Sequence, residues 1–99
     1  MANICTNMFY FASEQAESIQ RLSEFLDAHF EWWCNDGDTL YLEGEFDSKW
    51  AFPEELFADF IAEQLSTDET LYLRILSYEF GCEYASFRVY SEQEWRINF

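Results

Sequence analysis

The sequence predicts an α+β fold in which an antiparallel sheet carries two helices on one face. Apolar residues recur with period two in some segments and every three to four residues in two others, and these segments alternate as strand, helix, strand, strand, helix, strand. The 99 residues suffice for one hydrophobic core, and a hydrophobic fraction of 49% with 21% aromatics supplies its material. A single domain over residues 1–99 is expected.

The first strand is expected over Asn3–Phe11, which is rich in β-favouring residues, with its inward face left open. Ser13 is placed to cap a first helix that carries Glu14 and Glu17 early and runs to about Phe30. Ile19, Leu22, Leu26 and Phe30 form its apolar face. The cluster Asn35-Asp36-Gly37-Asp38 predicts the turn of a hairpin, after which Leu40, Leu42 and Phe46 alternate with Tyr41, Glu43, Glu45 and Asp47. Pro53 suits the first turn of a second helix, Glu54 and Glu55 suit the positive end of its dipole, and Leu56, Phe57, Phe60, Ile61 and Leu65 form its buried face. From Thr70 the period returns to two, Gly81 marks a turn, and Tyr84–Tyr90 alternates again, so two closing strands follow; residues 92–99 form a further edge strand or an ordered tail. This order is that of a ferredoxin-like two-layer sandwich, βαββαβ with one strand added. The term names topology only, because three scattered cysteines cannot hold an iron–sulfur cluster.

Charge is the anomaly of the composition: 20 residues are Asp or Glu against 5 Lys or Arg, for a formal charge of −15. Such a surface repels phosphates and anionic lipids and attracts basic surfaces. The expected partner is therefore a protein with a basic surface, with no direct nucleic-acid or membrane binding. Cys5, Cys34 and Cys82 are odd in number and lack metal-site spacing, which predicts free thiols in a reducing cytoplasm, each a small core residue. The opening residues have no basic and apolar leader pattern, and no apolar run approaches the roughly 20 residues of a membrane span.

Three short stretches carry a resemblance. Asn3-Ile4-Cys5-Thr6-Asn7 has the form N-x-C-x-N, Phe46–Pro53 places a Trp and a Pro before the second helix, and Tyr78-Glu79-Phe80-Gly81 places tyrosine and acid before a glycine turn. Together they resemble the YubB-like family of small plasmid and phage proteins, although Phe52 stands where a second proline is often found. The resemblance implies a ferredoxin-like domain and an origin on a mobile element; it transfers no site residue.

Helical spacing puts Glu14, Glu17, Glu24, Asp27 and Glu31 on the first helix opposite its apolar face, and Glu55, Asp59 and Glu63 likewise on the second. Four helical residues rise about 6 Å, and a DNA strand carries one charge per roughly 3.4 Å, so two such ridges side by side approach the charge density of one strand. The functional reading is a DNA mimic, an inhibitor of a host defence complex such as a CRISPR or restriction system that fills its basic groove. The alternative is a solvated face that keeps the chain soluble. Like charges at i,i+4 cost a helix about 0.2 to 0.5 kcal/mol per pair, and only Arg21 is placed to relieve them, which favours use.

A second candidate surface is the open sheet face. The alternation places Tyr72, Arg74, Tyr78, Tyr84, Arg88 and Tyr90 there, opposite Leu71, Leu73, Ile75, Phe87 and Val89. It reads either as a docking or dimerisation face, since Tyr and Arg are enriched in interface hot spots, or as an open sheet with cross-strand pairs between Arg74 or Arg88 and Glu43 or Glu45. No catalytic residue, cofactor or metal site is expected. His29 is a lone histidine at the edge of a helix's apolar face and reads as partly buried packing, Asp36-Gly37-Asp38 lacks the other ligands of a calcium loop, and no phosphate loop or nucleophile motif occurs.

Overall fold

The structure, a computed structural model, describes residues 4–81 and 83–98. Asn3 of the opening motif, Cys82 and the final residue of the tail lie outside the described residues. The elements are β1 (Ile4–Ala12), α1 (Ala16–His29), β2 (Trp32–Gly37), β3 (Tyr41–Lys49), α2 (Glu54–Phe60) continued by a π-helical stretch (Ile61–Leu65), β4 (Tyr72–Glu79), β5 (Tyr84–Ser91) and β6 (Glu94–Asn98). The strands form one six-stranded sheet in the order β2-β3-β1-β4-β5-β6, every neighbouring pair antiparallel. The tail is thus an edge strand through Asn98.

β1 turns Cys5, Asn7, Phe9 and Phe11 inward, which settles the face the sequence left open. One core joins them: Phe9, Phe11, Phe46, Leu73 and Ile75 from the sheet, Leu22, Phe25 and Leu26 from α1, and Phe57, Ile61 and Leu65 from the second helical segment. Full burial of such a side chain is worth roughly 1.5 to 3 kcal/mol, so both helices are held chiefly by this face. Neither helix has a side-chain cap: Gln15 and Pro53 occupy the N-cap positions.

Ser13 therefore does not cap α1 as expected. Its hydroxyl donates to Asp68 Oδ2, which Ser18 Oγ also reaches at 2.6 Å, while Thr70 supplies Oδ1 from its amide at 2.9 Å and its hydroxyl at 2.7 Å. Burial raises the pKa of the Asp68 carboxyl, but the hydrogen bonds from Ser13, Ser18 and Thr70 outweigh it and hold the group below its ordinary value. This knot ties the start of α1 to the entry of β4.

The inward face is apolar at one end and polar at the other. Asn7, fully buried, donates from Nδ2 to the Phe46 carbonyl at 3.0 Å and to Ser48 Oγ at 2.9 Å, and accepts from Ser77 Oγ at 2.7 Å. A buried amide without such partners would cost several kcal/mol. Here it cross-links β1 to β3 and β4, and this is the structural role of the final Asn of the opening motif. Burial likewise raises the Cys5 thiol above its ordinary value. Cys34, in contrast, is exposed on β2 and not a core residue, because β2 lies at the sheet edge.

One further expectation is corrected. The Asn35-Asp36-Gly37 cluster belongs to β2, where a register shift between Cys34 and Asp36 absorbs it. The turn itself follows, closed by the Asp38 amide on the Tyr41 carbonyl at 2.9 Å. Phe30 ends α1 as its C-cap with extended backbone.

The larger correction concerns β5. Tyr84, Arg88 and Tyr90 do not share the open face with Tyr72, Arg74 and Tyr78; Arg88 and Tyr90 are buried on the helix-covered side, and Tyr84 points the same way. Glu79 pairs with Tyr84, so residues 80–83 connect the strands and even positions of β5 stand beside odd positions of β4: Ile75 opposite Arg88, Leu73 opposite Tyr90. Such a connection inverts the parity, and hydrophobic alternation could not reveal it because Phe87 and Val89 are the more apolar set.

Candidate functional site

The acidic helix residues meet at a groove between α1 and the second helical segment. It has a volume of about 350 Å³ and is lined by Arg21, Glu24, Phe25, His29, Leu56, Asp59, Phe60, Glu63 and Gln64. The floor is aromatic, with Phe25 and Phe60 stacked at 4.2 Å between ring centroids. Period 3.6 places Phe25 toward the core and Glu24 one position outward, so the same helix supplies floor and rim. Leu56 and Phe60, expected to be buried, are only half-covered and complete the floor.

Arg21 closes one end. Its guanidinium pairs with Glu17 at i,i−4 and donates from Nη1 to the Gln64 carbonyl at 3.0 Å, bridging the two helical segments. His29 stands at the other end, exposed rather than partly buried, its ring 5.0 Å from that of Phe25.

Of the predicted acidic set, Glu24, Asp59 and Glu63 form the groove rim. All eight residues, Glu14, Glu17, Glu24, Asp27, Glu31, Glu55, Asp59 and Glu63, are exposed, but five are used otherwise or stand apart. Glu17 is neutralised by Arg21, and Asp27 accepts from Trp32 Nε1 at 2.7 Å, fastening β2 to α1. Glu14 precedes α1, and Glu55 lies outside the groove. The π-helical stretch from Ile61 changes the phase of the second ridge, so a straight i,i+4 row through Glu55, Asp59 and Glu63 does not persist.

Glu31 belongs to a neighbouring cleft of about 490 Å³ lined also by His29, Phe30, Asp47, Lys49, Phe52 and Pro53. Burial first, and then the charge of Glu31, raise the Asp47 carboxyl above its ordinary value. The sequence did not single out Asp47, because in strand alternation it reads as an ordinary outward acid. His29 lines both depressions, which therefore adjoin at that residue.

The alternative sheet site is divided. Tyr72, Arg74 and Tyr78 lie on the open face, where the Arg74 guanidinium sits 4.7 Å from the centre of the Tyr10 ring. Arg74 is thus held over an aromatic rather than by Glu43 or Glu45; Tyr10 stands between Glu43 and Arg74 in the register. Tyr84 and Arg88 instead join a polar cluster on the covered side, and Tyr90 lies in the hydrophobic core against Trp95. Arg88, 1% exposed, stacks on Phe52 at 4.1 Å, donates to Glu54 Oε1 at 2.7 Å and to Ser86 Oγ at 3.0 Å, and leaves Nε without a partner.

Among the described residues no three His, Cys, Asp or Glu are grouped to hold a metal ion, and no helix is long and apolar enough to cross a membrane. No protein-family model, no curated protein and no solved structure matches the chain.

Proposed function

We propose that the chain is a cytoplasmic binding protein of plasmid or phage type that acts by occupancy rather than catalysis: its acidic helical side seats on a basic nucleic-acid-binding surface of another protein and blocks it. The partner class is a host defence complex of the CRISPR or restriction kind, and the motif resemblance to YubB-like proteins supports the mobile-element origin. The order β2-β3-β1-β4, with a helix after β1 and after β3, supports a ferredoxin-like two-layer sandwich to which β5 and β6 are added.

The observation that carries this function is the rim of Glu24, Asp59 and Glu63 around a floor of Phe25 and Phe60. A phosphate mimic needs carboxylates at spacings that basic side chains can bridge. An arginine entering this groove would lay its stem and guanidinium plane along the rings while its N–H groups reach the rim, combining a cation–π contact with charge-assisted hydrogen bonds. A flat solvated helix face offers only the charges.

The test is displacement. The protein, mixed with a basic nucleic-acid-binding protein captured by it from bacterial lysate, is expected to compete with duplex DNA for that protein and to lose affinity steeply as salt rises. A partner that binds the protein and DNA simultaneously would contradict the mimic reading.

A further inference from the structure

We propose that the open face of the sheet is a homodimer interface, in which two copies pack sheet against sheet about a two-fold axis running along the strands. Along β1, β4 and β5 this face carries no carboxylate, whereas β3 sets Glu43, Glu45 and Asp47 on it and β6 sets Glu94. On β1, β4 and β5 the outward positions include Met8, Tyr10, Leu76, Phe87 and Val89, and their one charged residue is Arg74. Met8 is 48% and Leu76 42% exposed, and with Phe87 they ring a depression of about 290 Å³. Elsewhere two copies at −15 each would repel. Here they meet over apolar side chains.

The occupant follows from how the remaining charges are arranged. One cross-strand row runs Asp36, Glu43, Tyr10, Arg74, Val89, Arg96, each residue the register partner of the next. Acids stand at the β2-β3 end of this row and arginines toward the β4-β6 end, so the face carries a charge gradient across the strands. A two-fold axis parallel to the strands, between β1 and β4, lays the row on its own reverse. Glu43 of each copy then faces Val89 of the other, flanked by that copy's Arg74 and Arg96. An axis perpendicular to the strands would set Glu43 against Glu43. This row is thus complementary to itself in one orientation, the property an isologous dimer requires.

The extent is adequate. Six strands spaced about 4.8 Å and about eight residues long at roughly 3.3 Å each present a face of roughly 24 by 26 Å, close to the approximately 800 Å² per partner of a standard interface once side-chain relief is counted. Packed sheets lie about 10 Å apart with strands within about 30° of alignment. This association leaves the helical groove on the outside of both copies, so it is compatible with the proposed binding function and independent of it.

The test is sedimentation equilibrium on the full chain and on two exposed-residue variants, with far-ultraviolet dichroism confirming that each is folded. One variant carries Arg74→Glu and Arg96→Glu, the other Glu43→Arg. The wild type is expected to dimerise, each variant alone to dissociate at least tenfold more readily, and an equimolar mixture of the two to form a heterodimer, because opposite signs face each other again. A Leu76→Asp chain is expected to stay monomeric. A wild type that is monomeric at every concentration, a dimer that Leu76→Asp leaves intact, or charge variants whose mixture associates no better than either alone would each overturn the proposal.

Discussion

The Arg88 guanidinium is buried on the inward face of β5, yet its carboxylate partner, Glu54 at the start of α2, has a side chain 56% exposed. The pair at 2.7 Å therefore fastens a strand to a helix from inside outward. A buried charge is costly to strand and often inexpensive to remove together with its environment's need for it. Here Tyr84 OH and Ser86 Oγ already lie 2.9 Å apart and satisfy each other without the arginine.

Glu54→Gln is accordingly expected to destabilise the fold by about 1 to 3 kcal/mol, since it leaves the buried guanidinium uncompensated. Arg88→Met, which removes the charge and keeps the stacking on Phe52, is expected to cost less or to stabilise. Urea denaturation of both variants and the double variant checks this; an Arg88→Met chain less stable than Glu54→Gln would show that the pair itself stabilises the fold.

Asp68 makes stability depend on acid. A carboxyl held below its ordinary value binds fewer protons folded than unfolded. Its contribution is therefore complete above the unfolded value of about 3.9 and is lost as pH falls through the lower folded value. Asp68→Asn is expected to cost about 2 to 4 kcal/mol at neutral pH, because Ser13, Ser18 and Thr70 lose a charged acceptor. The gap between variant and wild type should narrow only below about pH 4; a gap constant down to pH 2 would remove the carboxylate from the explanation.

Gly44 is required by the approach of two strands. A Cβ there would lie 2.0 Å from the Trp33 carbonyl oxygen, backbone that cannot swing aside, so Gly44→Ala must push β2 off β3. The expected loss is on the order of 2 to 4 kcal/mol, with amide exchange rising first in β2. Protection of the β2 amides unchanged in that variant would contradict the geometry.

The chain's alternations made most elements legible, and its turns hid the rest. Leu22, Leu26, Phe57, Ile61 and Leu65 announced two helices and their buried sides, and Leu73 and Ile75 the buried side of β4. The face of β5 was not legible. It depends on the loop between Glu79 and Tyr84, and the structure buries Arg88 where the pattern favoured Phe87 and Val89. The acidic rim was half visible: Glu24, Asp59 and Glu63 follow from helical spacing, whereas the aromatic floor between them needs Phe25 and Phe60 to meet across two elements, which no local pattern encodes. Asp68 gave no signal because its partners Ser13 and Ser18 lie far from it in the chain.

Whether a particular side of the molecule binds, rather than its charge as a whole, is tested most directly by two variants of equal net charge. One carries Glu24→Lys, Asp59→Lys and Glu63→Lys in the groove; the other carries Glu69→Lys, Glu83→Lys and Glu92→Lys at exposed positions away from it. The measurement is the Kd of each for the basic partner at one ionic strength. The groove variant is expected to lose at least about 100-fold, roughly 2.7 kcal/mol, and the control only a few-fold through the weakened long-range field. Equal losses in the two would contradict the assignment of binding to the groove between α1 and α2.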